Sequence, residues 1–147
     1  MDLRPYAARD EAALVALWHE TKQRAYPYLP TEQSYTVETD TAFFRDHLAP
    51  RCAIWLAVEG EVLLGFIALQ GSYVDRLYVH PDRQRGGVGA ALLDQAKALS
   101  PAGLTLHTHQ QNVSGCAFYE RHGFVPIAYG ISAPPESAPD VLYCWQP

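Results

Sequence analysis

The feature that most restricts the fold is a change of apolar rhythm halfway along the chain. Three stretches read as strands: Cys52–Val58, Val62–Gln70 and Tyr73–Val79, parted by Glu59-Gly60-Glu61 and Gly71-Ser72. β-Branched and aromatic side chains fill them, and the glycines between suit tight turns, so they predict an antiparallel meander. From Gly87 to Leu99 the spacing turns helical, with Val88, Leu92, Leu93, Ala96 and Leu99 on one face. Leu104–Thr108 is again a strand. A strand, a crossing helix and a strand predict a parallel, right-handed unit. The chain is thus expected to build a mixed sheet with one parallel junction.

The flanking segments complete the outline. Leu3–Tyr6 predicts a short strand, and Asp10 an N-cap for a helix carrying Ala13, Leu14, Leu17 and Trp18 to about Tyr26, before Pro27 and Pro30. Phe43, Phe44 and Leu48 predict a second helix capped near Thr39 or Asp40 and ending before Pro50. Ser114–His122 predicts a short helix closed by Gly123, and Phe124–Tyr129 and Val141–Trp145 two last strands. Gly130–Pro139 is too rich in Pro and Ser for regular structure and predicts a long loop. The expected class is α/β (α+β), with about seven strands and four helices in one domain, residues 1–147.

Composition excludes several functions. A net charge of −5 does not suit a general nucleic-acid binder, which needs a basic stripe. Met1-Asp2-Leu3-Arg4-Pro5 opens no apolar run, and no stretch approaches the ~20 apolar residues of a membrane span. Cys52, Cys116 and Cys144 form no CxxC pair and read as free thiols, so a cytoplasmic location is expected. His107 and His109 share a strand face, but no third ligand lies at a recognisable spacing, so no metal is expected.

The chemistry points to the loop Gln84-Arg85-Gly86-Gly87-Val88-Gly89, which opens a helix after a strand. First-turn amides lack internal partners and carry the positive end of the helix dipole, so they suit a phosphate. Glycines at 86, 87 and 89 would let the anion approach, and Arg83 and Arg85 add charge. No Lys follows as a Walker loop requires, and Gly-Val-Gly-Ala-Ala-Leu lacks the third Rossmann glycine. Alone, the loop leaves open a tight turn that binds nothing.

Val79-His80-Pro81-Asp82-Arg83-Gln84-Arg85-Gly86-Gly87-Val88-Gly89-Ala90-Ala91-Leu92-Leu93 resembles motif A of the GNAT N-acetyltransferases, Gln/Arg-x-x-Gly-x-Gly/Ala. Asn112 to Phe124, with Tyr119 seven residues after Asn112 and then Gly123-Phe124, resembles motif B. The resemblance implies the GNAT acyl-CoA N-acyltransferase fold and transfer of an acetyl group from acetyl-CoA to an amine by direct attack. It further implies that loop amides over Gln84, Arg85, Gly86, Gly87, Val88, Gly89 and Ala90 bind the coenzyme A pyrophosphate. Leu77, Tyr78 and Val79 would pair with the pantetheine arm and supply the oxyanion contact, and Asn112 would bond that arm. By the same resemblance Tyr119 would stand near the sulfur as the proton donor; an aromatic on an amphipathic helix whose hydroxyl reaches solvent is the alternative.

Asp75 is the candidate base, on a strand position where many GNAT proteins carry an acid; an ion pair with a nearby Arg is the alternative. The first two helices and the final hairpin are expected to wall the acceptor site. Trp18, Tyr26, Tyr28, Tyr35, Glu32 and Glu38 are its candidates, because aromatics with carboxylates suit an ammonium. The acceptor is expected to be a small molecule or a protein amino group. Two rival readings stand: a non-catalytic acyl-CoA-binding module of the same fold, and a nucleotide-phosphate binder. Pairing or exchange of the final strands would make a homodimer.

Overall fold

The computed structural model describes residues 1–147. Its spine is one seven-stranded sheet in the order β1-β2-β3-β4-β5-β7-β6. The strands are β1 (Asp2–Pro5), β2 (Ala53–Glu59), β3 (Val62–Gln70), β4 (Tyr73–Val79), β5 (Leu104–His109), β6 (Val125–Ile131) and β7 (Pro139–Trp145). The helices are α1 (Glu11–Ala25), α2 (Pro30–Ser34), α3 (Val37–Phe43), α4 (Val88–Leu99) and α5 (Val113–Arg121). The β2–β4 meander and the parallel β4–β5 junction are as the rhythm predicts.

Alternation along β3 sorts the core into two layers. Ile67 and Leu69 pack with Leu92, Leu93 and Ala96 of α4, while Phe66 and Ala68 pack with Leu14, Val15 and Trp18 of α1. Phe66, Ile67, Leu92 and Leu93 are fully buried, each worth about 1.5–3 kcal/mol over exposure. The sheet is therefore covered on both faces through its centre. β6 is the exception: all seven residues of this edge strand are exposed.

Three local expectations are corrected. Asp10 makes no side-chain cap to α1, because Arg4 takes both of its oxygens at 2.8 and 2.9 Å and the Ala7 amide donates to it. The single helix expected near residues 40–49 is capped earlier, by Thr36, whose hydroxyl accepts from the Thr39 amide. Its last turn widens to a π-turn over Phe44–Leu48, and a separate α2 precedes it. The Pro-rich loop is shorter than expected. β6 and β7 extend into it and close it where Ser132 and Ala138 exchange hydrogen bonds at 2.8 and 2.9 Å.

Candidate active site

β4 and β5 part almost as soon as they meet. Their ladder holds only Tyr73↔Thr105 and Val74↔Leu106, although β4 runs on to Val79 and β5 to His109. Opposite Leu69 and Ala68 of β3 stand Val74 and Arg76, so Asp75 is an extra residue with no partner. Such a bulge bends its strand and raises its twist. From Asp75 onward one backbone edge of β4 therefore faces open space. A cleft of about 710 Å³ occupies the gap, lined by Leu77, Tyr78, Asn112 and Tyr119 and, towards α1 and α3, by Trp18, Lys22 and Asp40.

Below the slot lies the glycine loop. Gln84 Nε2 donates to the Val79 carbonyl at 3.2 Å and pins the loop to the end of β4. Arg85 and Gly87 both take positive φ, 67° and 85°. That left-handed geometry explains glycine at 87, the residue before α4, and costs free energy at Arg85. No side chain caps the first turn of α4 and no acid sits in it. A second hollow of about 280 Å³, lined by Arg83, Gln84, Arg85, Gly86 and Val88, adjoins these amides. Glu59, 3.9 Å from Arg83, and Asp82 also line the hollow, so the unpartnered amides opening α4 and Arg85 are what suit an anionic phosphate group there.

Gly89 has a packing reason beside the one the loop suggests. A Cβ there would stand 3.1 Å from the Phe118 ring, so this glycine lets α4 and α5 approach closely. Asn112 is also partly committed. Its Oδ1 accepts from the Gly115 amide at 3.1 Å and caps α5, leaving the side-chain amide, 3.4 Å from Thr108 Oγ1, facing the cleft.

Tyr119 reaches the cleft from α5, its ring packed edge-on against Phe118 and Phe124. Burial pushes its phenol well above the usual value, with nearby Tyr78 and Cys116 adding to the shift. Asp75 lines the cleft too, but Arg76 holds its Oδ1 at 2.6 Å. His107 Nδ1 meets the Tyr73 hydroxyl at 2.9 Å. His109 has its Nδ1 buried without a partner, and burial lowers its pKa, so it is neutral at neutral pH. No group of three or more His, Cys, Asp or Glu side chains is placed to hold a metal ion.

Of the acceptor candidates, Trp18, Tyr26, Tyr35 and Glu32 line the cleft. Tyr28 stands behind, its ring edge-on to Tyr26 and His109. Glu38 points outward on the exposed face of α3. Lys22, Asp40, Arg76 and Glu136 also line the cleft and were not singled out from the sequence. A lone Lys within an amphipathic helix carries no local signal that it is buried.

This slot above an uncapped glycine loop, in a sheet of this order, defines an acyltransferase of the GNAT class. The model of the acetyltransferase (GNAT) domain matches residues 50–126, just over half of the chain, and the chain belongs to that family. It is 31% identical over 112 residues to the peptidyl-lysine N-acetyltransferase YjaB of Salmonella typhimurium, covering 76% of this chain and 74% of that one. It is 27% identical to the peptidyl-lysine N-acetyltransferase YiaC of Escherichia coli, over 76% of this chain and 75% of that one. The fold is shared with the apo form of YjaB from Escherichia coli, at a TM-score of 0.82 and 24% identity over 98% and 96% of the two chains. It is shared also with the PaiA N-acetyltransferase of Thermoplasma acidophilum in complex with coenzyme A, at a TM-score of 0.72 and 20% identity over 99% and 98%.

Proposed function

We propose that this enzyme transfers the acetyl group of acetyl-CoA to a primary amine, with the lysine side chain of a peptide as the acceptor class. The observation that carries the reading is the gap in the β4–β5 ladder, which leaves a strand edge unpaired beside an uncapped helix N-terminus. Two relatives named above, YjaB and YiaC, are peptidyl-lysine N-acetyltransferases, which supports the acceptor class. Three free cysteines suit a reducing compartment and hence the cytoplasm. No helix is long and apolar enough to cross a membrane.

The chain's residues divide the work. Amides opening α4, with Arg83 and Arg85, hold the pyrophosphate, and Gln84 keeps the loop in place. The free edge of β4 over Leu77–Val79 pairs with the pantetheine amides and turns an N–H towards the carbonyl oxygen, where negative charge develops. Acetyl-CoA supplies the thioester that the amine attacks. Tyr119 keeps its proton until negative charge builds on the departing sulfur, and then donates it. Burial disfavours a thiolate as it does a phenolate, so the raised phenol pKa does not stop that transfer. The amine gives its proton to a water, and Asp75, whose Oδ1 is held by Arg76 in the ion pair that is the alternative to a base role, offers that water only its other oxygen.

Thermal shift with acetyl-CoA, ATP and NAD tests the donor. At a hundredfold excess over Kd, a native-state ligand adds about 2.7 kcal/mol. Stabilisation by ATP or NAD and none by acetyl-CoA removes the reading. Thiol release with a lysine peptide then distinguishes an enzyme from an acyl-CoA-binding module.

A further inference from the structure

One buried carboxylate in the cleft has an oxygen with no hydrogen-bond donor. Lys22 Nζ gives its short contact, 2.8 Å, to Asp40 Oδ1, and lies over the Trp18 ring at 4.0 Å. His19 Nδ1 takes the other Asp40 oxygen at 2.7 Å. Asp40 is thus satisfied on both sides. Glu32 is not. It is 7% exposed on the cleft wall, and its Oε2 makes no hydrogen bond. Lys22 stands 3.5 Å from that oxygen, within ion-pair range but without hydrogen-bond geometry.

A second carboxylate approaches from the other wall. Glu136, in the 132–138 loop, lines the same cleft and accepts from the Tyr35 hydroxyl at 3.4 Å. Burial raises the pKa of Glu32, and Glu136 adds to the rise while Lys22 opposes it. The wider balance has the same sign: Glu32, Asp40, Asp75, Glu136 and Asp140 line the cleft against Lys22 and Arg76. Lys22 is engaged mainly by Asp40 and Arg76 by Asp75. A buried carboxylate oxygen with no donor is unfavourable by itself, and an arriving cation relieves it.

We propose that Glu32 and Glu136 form the acceptor-recognition pair, which draws the acceptor amine into the cleft as its ammonium. The Glu32 carboxylate accepts an ammonium N–H at the cleft wall, with Lys22 beside its buried Oε2, and Glu136 closes on the cation from the loop. The proposal rests on the acetyl-transfer reading and deepens it. Acceptors charged at neutral pH are favoured; aromatic amines, uncharged there, are not.

Steady-state kinetics with Nα-acetyl-lysine N-methylamide and with 4-methoxyaniline test this. For the lysine compound, Glu32→Gln raises KM roughly tenfold or more, the loss of one hydrogen bond to a charged group. The KM for acetyl-CoA stays within about twofold in the same variant. Glu136→Gln lies on a surface loop, does not threaten the fold, and raises the acceptor KM in the same direction. Added KCl raises the wild-type acceptor KM, because salt screens the pair. An acceptor KM unchanged in both variants, or equal turnover of 4-methoxyaniline, overturns the proposal while acetyl transfer stands. Absence of any stabilisation by acetyl-CoA in thermal shift removes the acetyl-transfer reading, and the pair with it.

Discussion

Gly65→Ala probes the strand on which the slot depends. Gly65 of β3 lies opposite Val79 of β4. A Cβ at this position would stand 2.7 Å from the Tyr78 carbonyl oxygen and 3.1 Å from the Val79 Cα, against 3.4 Å for ordinary contact. Both neighbours are backbone, so no side chain can rotate away; β3 and β4 must part by about 0.7 Å at the closest pair. Overpacking of this kind costs about 1–3 kcal/mol. For a domain near 150 residues that lowers Tm by roughly 2–12 °C, at about 2–4 °C per kcal/mol. The same displacement moves Leu77–Val79, so acetyl-CoA affinity falls with it. Urea unfolding gives the stability and isothermal titration the affinity. Unfolding midpoint and Kd both unchanged would falsify the claim that close β3–β4 approach sets the slot.

Other outcomes follow from single contacts. Tyr119→Phe lowers kcat by roughly 10²–10⁴, the range of a general acid, and leaves the Kd of acetyl-CoA within a few-fold; equal losses in both would make the phenol structural. Gly89→Ala gains about 1 kcal/mol of helix propensity and loses about 1–3 kcal/mol to crowding against Phe118. Urea unfolding should show a modest net loss, with acetyl-CoA binding kept; loss of binding without loss of stability would make approach of the phosphate, not Phe118, the constraint at Gly89. The Arg4 hydrogen bonds, with the Ala7 amide, hold the Asp10 carboxyl at about 2, below its ordinary 3.8. A depressed folded pKa stabilises above the unfolded value and is lost as pH falls through the folded one. The stability gap between wild type and Asp10→Asn is therefore constant above about pH 5 and closes between about pH 4 and 2. A gap that persists at pH 2 in urea titrations contradicts the pairing.

Much of this molecule is legible in its order of residues. The meander, the crossing helix and the glycine loop follow from local rhythm: β3 and β4 run over the spans their apolar stretches predict. The register of Gln84, Gly87, Asn112 and Tyr119 within two short motifs likewise needs only the chain itself. Where a long-range partner competes with a local one, the rhythm misleads. Asp10 reads as a cap but answers to Arg4, and the Phe118 ring that also excludes a side chain at Gly89 is invisible in the loop's own spacing.

The tertiary structure alone decided the rest. It opened the slot, because the Asp75 bulge appears only when β3 and β4 are laid side by side. It also joined Lys22 to Asp40 across 18 residues of sequence and left one oxygen of Glu32 unmatched. Apolar periodicity marks which residues go inside, since burial depends on the face each element presents. Which charge meets which depends on how those faces are stacked, and no local pattern records that.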